Sequence, residues 1–329
     1  MVDDLDALAQ AVLDGDRRAL ARAITLIEST RRDHRAEAGA LLEQLMPHTG
    51  QSMRIGISGA PGVGKSTFIE VLGNFLIDQG LKPAVLTIDP SSAISGGSIL
   101  GDKTRMETLA RRDEAYIRPS PSGNTLGGVT RRSRETLLLC EAAGFDVILV
   151  ETVGVGQSET KVADMTDMFV LLLQPGAGDQ LQGIKRGIME LVDLVLINQA
   201  DDGREDLAHR SANDYTHALQ LLRPRSADWK VEVKTCSARD NVGIDTAWDA
   251  MTRHQEALEG TGELGALRAG QARTWLWSEV QDSLTTDLTE QLGDSHLISE
   301  LESAVSDGRM PATTAAEKLL DSYLGKNGS

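Results

Sequence analysis

The sequence predicts an α/β fold in which a mostly parallel, doubly wound sheet is preceded and followed by helical segments. Short apolar runs alternate with segments of helical periodicity between Met53 and about Gly243, as in successive βαβ units. The run Val147-Ile148-Leu149-Val150 is apolar at every position, which is typical of strands covered on both faces. We therefore predict a helical N-terminal extension over 1–50, an α/β domain over 51–257 and a helical C-terminal arm over 258–329.

The spacing of apolar residues identifies the individual elements. The N-terminal residues at helical intervals are Leu20, Ile24 and Ile27. The predicted strands are Met53–Ser58, Ala84–Asp89, Val147–Thr152, Met168–Gln174, Leu194–Gln199 and Lys230–Ser237. In the C-terminal region, Trp277, Val280, Leu284 and Leu288 step by three and four residues, which predicts one long amphipathic helix.

Composition restricts the possible partners and compartment. The 329 residues include 33 Lys and Arg against 49 Asp and Glu, a formal net charge of −16. This balance disfavours nonspecific binding to nucleic acid or to an anionic membrane, because both are negatively charged. Cys140 and Cys236 are the two cysteines, and residues 1–6 lack the basic-then-apolar order of a signal peptide. We expect a cytoplasmic protein without a membrane span.

A glycine-rich segment between the first predicted strand and the following helix carries the strongest motif. It reads Gly59-Ala60-Pro61-Gly62-Val63-Gly64-Lys65-Ser66-Thr67 and matches the Walker A pattern in full. Glycines let successive N–H groups point at phosphate oxygens, and the helix that follows adds its positive amino end. Lys65 is expected to neutralise the β- and γ-phosphates, and the Ser66 hydroxyl to bind Mg²⁺. The α/β domain is therefore predicted to be a P-loop NTPase.

Two acidic residues follow predicted strands at the edge of the sheet where the phosphates would lie. Asp89 ends the second strand, and Glu151 ends the strand that begins at Val147. Gly154 follows Glu151 closely, so its N–H is expected to contact the γ-phosphate, as in a nucleotide-sensing switch. A helix cap or a solvated strand end is the alternative interpretation of either acid.

The segment Asn198-Gln199-Ala200-Asp201 resembles the guanine-recognition element Asn-Lys-x-Asp. An aspartate at its last position can accept two hydrogen bonds from guanine, whereas adenine offers no such pair of donors. Gln199 stands where the usual pattern has lysine, which is expected to reduce affinity without changing the choice of base. Ser237-Ala238, followed by Arg239, resembles the Ser-Ala loop that also contacts guanine.

Taken together, these segments resemble the GTPase chaperones of adenosylcobalamin-dependent acyl-CoA mutases, whose typical member is the methylmalonyl-CoA mutase-associated protein. Members have also been labelled arginine/ornithine transport kinases. The resemblance covers most of residues 50–250. Besides the segments above, it rests on Gly96–Met106, Leu126–Val129, Glu151–Glu159 and Gly178–Lys185.

The resemblance implies a GTPase that binds Mg-GTP, hydrolyses it when a mutase docks, and forms a homodimer through its C-terminal arm. It implies Mg²⁺ near Ser66, with Asp89, Asp102 and Glu151 as further candidate ligands. It also implies a switch around Gln182 and Lys185, in which Lys185 would act as an arginine finger does elsewhere. Gln157 is a further candidate for positioning the attacking water.

Two other functions share parts of this pattern. A metal-insertion GTPase of the nickel-maturation type has the same core fold, but it predicts a His-rich tail or a Cys/His cluster, and the sequence has neither. An ATP-dependent small-molecule kinase would also carry the Walker A motif. Asp201 and the Glu151 switch favour a GTPase over the kinase.

Overall fold

In the computed structural model, the described residues are 5–29, 31–88, 106–119, 126–152, 158–176, 186–222, 225–293 and 296–325. They form two compact units, Met1–Ala269 and Gly270–Ser329. The predicted division of the chain at residues 50 and 257 stays a prediction. No helix among these residues is long and apolar enough to cross a membrane.

The first unit is built on a seven-stranded sheet in which every neighbouring pair of strands is parallel. The strands are β1 (Met53–Gly59), β2 (Pro83–Ile88), β3 (Tyr116–Arg118), β4 (Val147–Thr152), β5 (Met168–Leu173), β6 (Leu194–Ile197) and β7 (Glu232–Thr235). Their order across the sheet is β3-β2-β4-β1-β5-β6-β7. The predicted α/β fold with its parallel sheet is confirmed. Among the described strands, β3 is the one that apolar periodicity missed, since it is only three residues long.

Helices connect and flank these strands. In chain order they are α1 (Leu5–Leu13), α2 (Arg17–Glu28), α3 (Arg32–Leu45), α4 (Lys65–Asp78), α5 (Leu126–Ala142), α6 (Ser158–Ala163), α7 (Arg186–Met189), α8 (Glu205–Leu219), α9 (Ile244–Thr261), α10 (Glu263–Leu292), α11 (His296–Ser306) and α12 (Ala312–Tyr323). Asp16 caps α2, because its carboxylate accepts hydrogen bonds from the N–H groups of Arg18 and Ala19.

The hydrophobic core lies on both faces of the sheet. Ile148 and Val150 of β4 belong to one buried cluster, while Val147 and Leu149 belong to the other. The continuous apolar run of β4 is therefore divided between two covered faces, as strands of a doubly wound sheet require. The residues predicted at helical spacing, Leu20, Ile24 and Ile27, are buried in the first of these clusters.

The amino ends of the strands are held by a network around Asp167, which precedes β5. Arg268 donates hydrogen bonds to both carboxylate oxygens of Asp167, at 2.8 and 2.7 Å, and to the carbonyl groups of Gly50 and Ser52. The N–H of Arg54 donates to the same carboxylate at 2.8 Å. A residue near the start of α10 is thereby joined to the chain segment that leads into β1.

A second buried polar cluster lies at the same edge, around Asp193, which precedes β6. Its Oδ2 accepts hydrogen bonds from the Phe169 N–H and from Arg225, and its Oδ1 lies 3.8 Å from Nε2 of His254. Burial raises the pKa of Asp193 to about 6, against the opposing effect of Arg225. Burial, helped by Arg225, lowers the pKa of His254 to about 4. At neutral pH the folded protein therefore holds a neutral imidazole beside an ionised carboxylate.

Candidate nucleotide-binding site

The Walker A segment forms the loop between β1 and α4, as its sequence context predicted. Its glycines have backbone angles that other residues rarely adopt, with φ of 80° at Gly62 and 89° at Gly64. A Cβ atom on Gly59 would lie 2.5 Å from the Leu172 carbonyl oxygen, and one on Gly64 would lie 2.8 Å from Nδ2 of Asn198. The loop can therefore keep this close packing only with glycine at both positions.

Lys65 is the first residue of α4 and is largely buried. Its ammonium group donates hydrogen bonds to the carbonyl oxygens of Gly59 and Ala60, at 2.7 and 3.2 Å. The side chain therefore lies back against the loop that precedes its own helix. Its charge adds to the positive amino end of α4, so the loop is suited to bind an anion such as a phosphate group.

Ser66 and Glu151 form a hydroxyl–carboxylate pair beside this loop. Ser66 Oγ donates to Oε1 of Glu151 at 2.9 Å, and the carboxylate is buried. The pairing of β1 with β4 places Glu151 opposite Ile57, near the end of β1. Both side chains offer hard oxygen ligands, and Mg²⁺ usually takes only one or two protein carboxylates together with phosphates and water. These residues therefore fit Mg²⁺. In the described part of the chain, no three His, Cys, Asp or Glu side chains are grouped to hold a metal.

Asn198 joins the phosphate loop to the predicted base-recognition segments. Its side chain is buried, donates to the Val63 carbonyl at 2.8 Å and accepts from the Ala238 N–H at 3.0 Å. The amide thus connects the Walker A loop to the loop after β7. Its contact with a nucleotide stays a prediction.

Asp201 is buried, and its carboxylate is held by partners on both oxygens. Ser237 Oγ donates to Oδ2 at 2.6 Å, and the guanidinium of Arg204 donates to Oδ1 at 2.9 Å. The hydrogen bond from Ser237, followed by that from Arg204, lowers the pKa of Asp201, so the carboxylate is ionised at neutral pH. Arg239 makes two hydrogen bonds with Asp202 and approaches Oδ1 of Asp201 to 3.7 Å.

Sequence reasoning missed two side chains of this site. Gln174, which follows β5, donates to the Gly62 carbonyl at 3.0 Å, and Gln199 donates to the same oxygen at 2.9 Å. Arg204 contacts Asp201 from just before α8. The two side chains that were missed are Gln174 and Arg204, because the motif patterns include neither position. The sequence did contain one signal for a cation elsewhere in the site, such as Arg204: the uncharged Gln199 stands at a position where a cation is usual.

Six predicted site residues lie outside the part of the chain that the structure describes. The candidate metal ligands and switch residues that lie outside the described residues are Asp89, Asp102, Gly154, Gln157, Gln182 and Lys185. Within the described part, the structure brings together the Walker A residues, Glu151, Asn198, Asp201 and the Ser237–Arg239 loop. Their assignment to a bound nucleotide or metal remains a prediction.

Comparison with known proteins decides the family. A family model described as "Methylmalonyl Co-A mutase-associated GTPase MeaB" matches residues 20–292. The chain belongs to this family. The resemblance inferred from the sequence motifs is therefore confirmed, and the protein is a member of a GTPase family.

The chain is similar to several relatives over most of its length. A Caulobacter vibrioides protein named "Putative GTPase" is 52% identical over 97% of this chain and 98% of that protein. A Mus musculus protein named "Methylmalonic aciduria type A homolog, mitochondrial" is 46% identical over 98% of this chain and 80% of its own length. A solved structure titled "Crystal structure of LAO/AO transport system kinase" matches with a TM-score of 0.78 and 36% identity, over 98% of this chain and 99% of that one.

Proposed function

We propose that this protein binds and hydrolyses Mg-GTP in the cytoplasm. Through this cycle it controls the loading of adenosylcobalamin into an acyl-CoA mutase and protects that mutase. The observation that carries the nucleotide part is Asp201, a buried and ionised carboxylate that Ser237 and Arg204 hold in place. Guanine offers two donors to the acceptor sites that remain on this carboxylate, whereas adenine offers no such pair of donors. The family description and the name of the mouse relative support the mutase part.

The residues of the site have distinct roles in this proposal. The Walker A amides and Lys65 bind the β- and γ-phosphates and stabilise the charge that develops on them during in-line attack by water. Ser66 and Glu151 would hold Mg²⁺, which supplies further neutralisation of phosphate charge when bound. Asp201 fixes the base and so sets the register of the phosphates along the loop.

Activation by the partner is the second part of the proposal. We propose that Gln157, Gln182 and Lys185 complete the site only when a mutase docks, so that hydrolysis by the protein alone is slow. Lys185 would then place a positive charge at the transition state. Asp89 and Asp102 are proposed as further direct or water-mediated ligands of Mg²⁺.

The C-terminal arm is proposed to form a homodimer with a second copy of the chain. Leu276, Trp277 and Leu284 on α10 are each more than half exposed, at 60%, 65% and 54%. Large apolar side chains clustered on one long helix favour burial against a partner. A dimer–monomer shift on Trp277→Glu, measured by light scattering, would support this proposal, whereas an unchanged mass would contradict it.

Hydrolysis assays with GTP and ATP test the nucleotide part. Lys65→Ala should reduce GTP turnover at least a hundredfold, because the loop loses the cation that neutralises the transferred phosphate. Arg112→Ala is a control, since Arg112 pairs with Asp78 at the far end of α4. Near-normal GTPase activity of Lys65→Ala would contradict the site. A preference for ATP would favour the kinase alternative, and tight nickel binding would favour the nickel-maturation alternative.

A further inference from the structure

Gln199, which replaces the usual lysine of the base-recognition motif, is held by the phosphate loop. Its backbone is left-handed, with φ of 61°, a conformation that costs energy in a residue with a side chain. Its amide donates to the Gly62 carbonyl at 2.9 Å, beside Gln174, which donates to the same oxygen. Residue 199 therefore braces the phosphate loop, and it brings no charge to the base site.

A cation is nevertheless present next to Asp201, and Arg204 supplies it. One guanidinium nitrogen donates to Oδ1 of Asp201 at 2.9 Å, and another donates to Oε1 of Gln199 at 3.4 Å. A third contact runs from Nε to the Asp201 carbonyl at 3.4 Å. Arg204 thus contacts both the carboxylate of the motif and the side chain that replaced the lysine.

We propose that Arg204 is the positioning residue for guanine recognition and takes over the electrostatic role of the absent lysine. This inference rests on the proposed binding of guanine nucleotides. A carboxylate has about four acceptor sites, two on each oxygen. Arg204 occupies one site on Oδ1 and Ser237 one on Oδ2, so one site remains on each oxygen. Guanine presents two donors, the ring N–H and the exocyclic amine, which match the two remaining sites.

Arg239 is the other cation near this carboxylate, but its geometry differs. It lies 3.7 Å from Oδ1 of Asp201, beyond hydrogen-bond distance, while two of its nitrogens donate to Asp202 at 2.5 and 2.7 Å. Its charge contributes to the local potential without fixing the orientation of Asp201. Of these two arginines, Arg204 is the one that donates a hydrogen bond to the carboxylate of Asp201.

The proposal is tested by calorimetric titration of the full-length protein with Mg²⁺ and GDP, IDP or ADP. IDP lacks the exocyclic amine and so needs only one carboxylate site. Arg204→Ala should weaken GDP binding about tenfold, as expected for loss of a charge-assisted hydrogen bond. IDP should be affected less, because one hydrogen bond survives rotation of the carboxylate. The ratio of the GDP and IDP affinities should therefore fall severalfold, and Arg204→Lys should restore part of it.

Combining Gln199→Lys with Arg204→Ala tests whether the positive charge of Arg204, rather than the packing of its side chain, supports GDP binding. Gln199→Lys alone should not improve GDP binding, because the new ammonium would lie beside the Arg204 guanidinium. The same substitution in the Arg204→Ala background should recover several-fold of the lost affinity. Arg112→Ala is the matched control for removing an arginine from a surface ion pair. Thermal unfolding without nucleotide checks that each variant is folded.

Each outcome bears on one of the two proposals. Failure of the wild-type protein to bind GDP would overturn the proposed function itself. Wild-type binding of GDP, with an unchanged ratio of GDP to IDP affinity in Arg204→Ala, would overturn the role of Arg204 alone. An equal effect of Gln199→Lys in both backgrounds would likewise show that Arg204 does not replace the lysine. Equal weakening of all three nucleotides would indicate a general structural role and would also contradict the proposal.

Discussion

Arg268→Met is expected to destabilise the first unit strongly, because it leaves a buried carboxylate without its cation. The side chain of Arg268 is 17% exposed and that of Asp167 is 4% exposed, so water can replace little of the lost interaction. The substitution removes two hydrogen bonds to Asp167 and one each to the carbonyl groups of Gly50 and Ser52. The Arg54 N–H is the donor that remains on the carboxylate.

The expected loss is about 3–5 kcal/mol, the range measured when one partner of a buried ion pair is removed. The remaining donor from Arg54 places our expectation near the lower end, about 3 kcal/mol. That is a large part of a typical free energy of unfolding of about 5–15 kcal/mol. Asp167→Asn in the Arg268→Met background removes the stranded charge and should recover at least about 1.5 kcal/mol.

The free energy of unfolding should be measured by chemical denaturation, with tryptophan fluorescence as the readout. Replacing Trp275 and Trp277 by Phe restricts the signal to Trp229 and Trp248 in the first unit. Arg31→Ala is the control, because the Arg31–Asp33 pair lies in the first unit, is exposed (66% and 54%) and should contribute at most about 1 kcal/mol. A loss below 1 kcal/mol for Arg268→Met, or no recovery in the double variant, would refute the reasoning.

Three further predictions follow from contacts described above. Gly59→Ala should lower the melting temperature and weaken GDP binding more than tenfold, since its Cβ would lie 2.5 Å from a backbone oxygen. An effect no larger than that of Gly39→Ala, a helical position in α3 where a Cβ meets nothing within 4 Å, would contradict this. Asn198→Ala should cost about 2–4 kcal/mol of unfolding free energy, because two buried backbone groups lose their partner; wild-type denaturation curves would speak against it. Between about pH 4 and 6, Asp193 keeps a proton in the folded state that the unfolded chain releases, so its contribution to stability falls as the pH rises. His254 binds a proton in the unfolded chain but not in the folded state, so its contribution to stability rises with pH and opposes that of Asp193. Relative to wild type, stability should therefore fall with rising pH in His254→Gln and rise in Asp193→Asn, each by up to about 1.4 kcal/mol per pH unit; parallel curves for all three proteins would exclude this pairing.

The parts of the fold that follow from local patterns were predictable. The Walker A motif predicted its place between β1 and α4, since the loop conformation is encoded by adjacent glycines. Its role in binding phosphate stays a prediction. β4 was predicted with both of its bounds, because its apolar run is continuous and long enough to fill two covered faces. β3 has three residues and no such run, so sequence periodicity could not reveal it.

Contacts between distant parts of the chain could not be predicted in this way. Asn198 bonds to Val63, which is 135 positions away, and Arg268 bonds to Gly50 across 218 positions. Nothing in the sequence near either residue specifies its partner, because the partner is brought close only by the completed sheet. Arg204 was missed for a different reason: it lies only three and five positions from Asp201 and Gln199, but the motif pattern does not include its position.

The rate of GTP hydrolysis, measured with and without a purified adenosylcobalamin-dependent acyl-CoA mutase from the same organism, tests the central proposal most directly. Single-turnover assays at saturating Mg²⁺ should show slow hydrolysis by the protein alone. Adding the mutase should raise the rate by at least tenfold, and Lys65→Ala should show no such increase. An unchanged rate in the presence of a mutase that binds the protein would contradict the account.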